Sequence, residues 1–178
     1  MKNSVIYLVM MVAVCFTVSC STKNNPTPTS TTSKFTINGN SFTQVSGADS
    51  VTTLDGKSYN VLGVTGQSAD KSASAALIIF WSGSAKPQAG SYAAVDDITK
   101  LGGGQVAILI IDKVTTAKQG IYGTTAGSSL AVAVSSSGKV SVTMPNMVIK
   151  GSNVDNTDPK NSVVTDVTGS ISGTASEQ

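Results

Sequence analysis

Side chains that could move a proton, hold a metal or stack on a sugar are few in this sequence, and their types limit the chemistry first. Among 178 residues there are twelve Lys, ten Asp and Glu together, two Cys, no His and no Arg. Without imidazole there is no general base that titrates near neutrality and no His metal ligand. Without guanidinium there is no bidentate clamp for phosphate or carboxylate. Acid and base work would fall to Asp, Glu, Lys and Tyr. Asp96-Asp97 is the only adjacent acidic pair. Neighbours on a strand point to opposite faces, and on a helical turn they diverge by about 100°, so this pair reads as a cap or a solvated loop. A hydrolase would have to use Asp96 or Asp112 with a Tyr or a Lys, which the missing His and Arg disfavour.

The segment from Gly151 to Asn161 gathers Asp155, Asp158 and three Asn, oxygen donors of the kind Ca²⁺ accepts. It lacks the Asp-x-Asp-x-Asp-Gly and distal Glu of an EF-hand, and turn chemistry accounts for the same residues. Asp155 and Asp158 are therefore a calcium candidate only, and no metal or cofactor is expected. Leu101-Gly102-Gly103-Gly104-Gln105 has no following Lys-Ser/Thr and reads as a turn, not a phosphate loop. Sugar binders stack their ligands on exposed rings. Phe80 and Trp81 should face opposite ways on one strand; if Phe80 fills the core, Trp81 lies on the other face, beside Tyr92 or Tyr122. Trp81, Tyr92 and Tyr122 are the candidate ligand-binding residues, against the plainer reading of core packing. The Lys residues are scattered and not interleaved with rings, so nucleic acid is not an expected partner.

The elements that must position these groups are strands. Ser and Thr make up about a quarter of the chain and Gly contributes 17 residues, a composition that favours short strands joined by turns. Expected strands are 34–38, 41–45, 58–65, 73–81, 90–95, 105–113, 120–124, 128–135, 139–144, 147–150 and 163–171. Asn38-Gly39, Asp55-Gly56 and Ser137-Gly138 supply hairpin turns. Ala76 to Trp81 and Val106 to Ile111 are apolar at successive positions, so both should be central strands covered on both faces. One helical turn is expected within 96–102. The sum is a single antiparallel β-sandwich-like domain over 34–178, with a calycin-like closed barrel as the alternative.

Ahead of that domain, Lys2 precedes an apolar run from Val5 to Val18, which reaches about 21 Å as a helix against the ~30 Å of a hydrocarbon core. Residues 1–19 therefore read as a signal peptide rather than a permanent span. Thr17-Val18-Ser19-Cys20 resembles the lipobox of bacterial lipoproteins, which implies that Cys20 becomes the acylated first residue of the mature chain; Thr17 departs from the usual Leu. Acyl chains contribute about 0.8 kcal/mol per buried CH₂, so two or three would hold the protein on a membrane without a spanning element. Residues 20–33, rich in Ser, Thr and Pro, read as a flexible tether.

Phe35-Thr36-Ile37-Asn38-Gly39-Asn40-Ser41-Phe42, Lys86-Pro87-Gln88-Ala89-Gly90-Ser91-Tyr92 and Gly169-Ser170-Ile171-Ser172-Gly173-Thr174 are similar to features of small uncharacterised Bacteroidota lipoproteins. That resemblance implies an all-β domain on a lipid anchor and supplies no catalytic residues. The expected function is a non-catalytic cell-envelope module, outer-membrane anchored and facing either the periplasm or the exterior, that binds envelope proteins or glycans. The alternative is a carrier of a small apolar ligand, in which Ala75, Ala107, Ala131 and Ala133 would be the small inward residues of a barrel. A hydrolase is the third reading.

Overall fold

Turn dipeptides set the register of the first strands in the computed structural model, which describes residues 33–113, 117–158 and 161–178. The signal peptide, Cys20 and all of the tether except Ser33 lie outside the described residues, which belong to one unit, Thr32–Gln178. β1 (Lys34–Ile37), β2 (Asn40–Leu54) and β3 (Lys57–Gln67) form a meander. Asn38 and Gly39 join the first pair with φ of +51° and +84°, and Asp55 and Gly56 join the second with +49° and +75°. Positive φ at both central residues makes the primed turn whose twist matches that of the strands, and Asn-Gly and Asp-Gly reach it at least cost.

The remaining strands are β4 (Ser74–Ser82), β5 (Gly90–Ala94), β6 (Gln105–Lys113), β7 (Lys118–Thr124), β8 (Ser129–Val134), β9 (Val140–Asp155) and β10 (Val163–Ser176). The expected helical turn is a short 3₁₀ segment, Ile98–Lys100, with Asp97 as its N-cap. β1 through β4 and then β6 are antiparallel neighbours in sequence of space. One edge of β6 is shared by β5, parallel to it at Gln105 and Val106, and by β7, antiparallel from Leu109 to Lys113. One edge of β9 is likewise shared by β8 and β7, and its other edge pairs with β10, which returns to β1. The domain is all-β and sandwich-like, one ten-stranded sheet folded over a shared core. It is not a clean barrel, because β7 at one level and β5 with β8 at another fill the space between β6 and β9.

β4 and β6 lie side by side and are covered on both faces, as their continuous apolar runs require. Leu77, Ile79 and Trp81 face the core together with Val106, Ile108 and Ile110. Phe80 takes the outer face, where its ring meets that of Tyr59 edge-on at 6.4 Å. The crossover from β5 to β6 covers this outer face: Lys57, on the same side of β3 as Tyr59, donates to the Thr99 carbonyl at 2.8 Å, and Leu101 is buried. Placing Phe80 in the core and Trp81 outside thus reverses the actual arrangement. Two of the alanines expected to line a barrel, Ala131 and Ala133, are exposed, and Ala107 is on the outer face; only Ala75 joins the core.

Candidate functional site

The inward-facing residues of β6 are Val106, Ile108 and Ile110, and the next position in that series is Asp112. A period of two therefore carries a carboxylate to the end of the core, where the apolar filling stops. Beside it β7 contributes Gly120 and Tyr122, β9 contributes Asn153 and Asp155, β10 contributes Thr165, and the β1–β2 turn contributes Asn38. These residues line a recess of about 530 Å³. Its size is that of a small-molecule pocket, and its lining sets amide, hydroxyl and carboxylate groups among a larger share of apolar surface, Val154 and Val163 included.

Asp112 is 3% exposed and its Oδ1 accepts the Gly120 N–H at 2.8 Å. Burial pushes its carboxyl above the usual Asp value, opposed in part by that N–H. Tyr122 is equally buried and its hydroxyl donates to Asn153 Oδ1 at 2.6 Å. Burial, then the nearby Asp112 charge, raises the phenol. Gly120 makes this approach possible: a Cβ there would collide with the Tyr122 hydroxyl and with Asp112 Oδ1. At the rim Lys118 Nζ stands 3.3 Å from Asp155 Oδ2. Asp155 Oδ1 also accepts from the Thr157 amide at 2.9 Å, and Thr157 together with Lys118 holds its carboxyl below the usual value.

The structure thus brings together Asp112, Tyr122 and Asp155, which the sequence offers only for three separate roles. Asp158 stands apart from them in its own turn, accepting from Asn161 Nδ2 at 2.9 Å. Among the described residues no group of three or more His, Cys, Asp or Glu side chains is placed to hold a metal. Asp96 is exposed, and its neighbour Asp97 accepts the Thr99 N–H as the 3₁₀ cap. Trp81 and Tyr92 do meet, edge to face at 6.4 Å, but Trp81 is 2% exposed. It also lies at the far end of β4 from the recess, since Ala75 is the residue of β4 that pairs with Asp112. Neither Trp81 nor Tyr122 presents a ring face to a sugar, a correction to their expected role. The sequence offers Asn153 only as an oxygen donor of the 151–161 segment, and Asn38 and Gly120 for no site. The signal for Asp112 is its parity with Ile108 and Ile110; Gly120 reaches it across the β6–β7 hairpin, while Asn153 arrives by the remote pairing of β7 with β9.

Comparison with protein-family models, with curated proteins and with solved structures gave no match. Fold and site together define an all-β domain with a polar recess, floored by a buried carboxylate, at one end of its core.

Proposed function

We propose that this chain is a lipid-anchored cell-envelope protein, acylated at Cys20, whose 34–178 domain is a non-catalytic module that binds a small constituent of the envelope in the polar recess. The observation that carries binding is Asp112. A buried carboxylate costs stability unless it is paired, and among the described residues no ion pair includes it. Such a group at the floor of an open recess is what a site keeps for a ligand. Binding is favoured over turnover because the neighbouring groups hold one another: the Tyr122 hydroxyl is committed to Asn153 and Lys118 to Asp155. The anchor rests on the segment from Lys2 to Cys20, and the outer-membrane location on the resemblance to Bacteroidota lipoproteins. Among the described residues no helix is long and apolar enough to cross a membrane.

Fractionated small-molecule extracts of the envelope, added to the full-length protein, test the recess. At least one fraction should raise the melting temperature of the wild type and leave Asp112→Asn unmoved. If no fraction distinguishes the two proteins, the recess is not the binding site.

A further inference from the structure

The recess carries information about its ligand beyond the fact of binding. Ionised Asp112 can accept about four hydrogen bonds, and the one observed comes from the Gly120 backbone to Oδ1. The cation nearest the mouth, Lys118, pairs with Asp155 at the rim and not with Asp112 at the floor. The rest of the lining is neutral, Val154 and Val163 among it; Asn153 Oδ1 is taken by Tyr122 and Asn38 Oδ1 by the Ser170 N–H, so Asn153 offers its Nδ2 and Thr165 its hydroxyl. The single aromatic of the lining, Tyr122, has its hydroxyl committed to Asn153. What the floor lacks is a positive charge carrying N–H donors; what the walls offer is hydrogen bonding to hydroxyls.

The geometry points to a small polar molecule bearing a protonated primary amine as the ligand of this recess, its ammonium against Asp112 and its hydroxyl groups along the amide-lined wall. This rests on the recess being the binding site, and it assigns the chemical class that the site selects. An ammonium supplies three donors to a carboxylate in a water-poor setting, where a charge-assisted hydrogen bond is about twice as strong as a neutral one. A neutral polyol of the same shape would leave the buried charge uncompensated.

Serinol and glycerol separate the possibilities, since serinol is glycerol with its central hydroxyl replaced by an amine. Each is titrated into the full-length protein at neutral pH and constant ionic strength, with the Gly120 amide resonance as reporter, because that N–H is bonded to Asp112. Serinol should shift the resonance saturably, glycerol should not, and Asp112→Asn should weaken the serinol response at least tenfold. The Asn variant keeps an oxygen for the Gly120 N–H, so its folded state is checked by the same spectrum. Equal responses to serinol and glycerol, or a serinol response that Asp112→Asn leaves intact, would overturn the ammonium assignment. No response to serinol while an envelope fraction still stabilises the wild type overturns the assignment and leaves the site; no response to either removes both.

Discussion

At the scale of single residues, the recess depends on two positions that work against ordinary stability. Gly120 has no side chain because the space of its Cβ is taken by the Tyr122 hydroxyl and Asp112 Oδ1. Gly120→Ala should therefore push these groups apart and lower stability by about 1–3 kcal/mol, read by urea denaturation. Asp112 acts through its proton. Its folded carboxyl titrates above the unfolded value, so between the two values the folded state holds a proton that the unfolded chain has released. Stability then falls as pH rises through the folded value and is regained as pH drops towards the ordinary Asp value. Trp81, the only Trp in the chain, gives an independent check on the core. Its emission should be blue-shifted and protected from a soluble quencher, and serinol should leave it unchanged because it lies away from the recess.

Whole elements show where sequence is informative and where it is not. The bounds of β6 could be read off Gln105 to Lys113 because every residue from Val106 to Ile111 is apolar, and the primed turns could be read off Asn38-Gly39 and Asp55-Gly56. In β9 the sequence breaks at Pro145-Asn146 and predicts two strands, but the structure has one strand with a bulge: on β10 the single Ser172 stands opposite these two residues. Proline has no N–H to give, and a bulge is one of the few places within a sheet that accept it. β2 runs well past Val45, where the sequence pattern ends it because Ser46 to Thr53 carries little apolar alternation; its partner β3 supplies the pairing that local propensity does not. The same strand holds the C-terminus. Gln44 is buried, its Oε1 accepts the Ser176 N–H at 3.0 Å, and its Nε2 donates to the Ser176 carbonyl. The side chain thereby stands in for a stretch of backbone ladder. Gln44→Leu should leave both Ser176 groups unpaired and cost about 2 kcal/mol, with faster amide exchange confined to the end of β10.

For the molecule as a whole, the all-β class is legible in a way that the site is not. Alternation and turn chemistry carry the all-β class, whereas the recess depends on the β6–β7 and β9–β10 hairpins and the β1–β2 turn meeting at one end of the core, through the pairing of β7 with β9, which is remote in sequence. The proposed lipid anchor predicts that protein extracted from membranes begins at Cys20 with acyl chains attached. Cys20→Ala should release the domain from the membrane fraction, and intact mass together with fractionation checks both statements. If Asp112 is kept for a ligand and not for the fold, removing its charge should stabilise the empty protein. The measurement is the unfolding free energy of wild type and Asp112→Asn, without ligand, from neutral to acid pH. Because Asn can still accept the Gly120 N–H and carries no charge, the variant should be the more stable at neutral pH, with the gap shrinking as pH falls. A variant less stable than wild type at every pH would make Asp112 a structural residue and contradict the account.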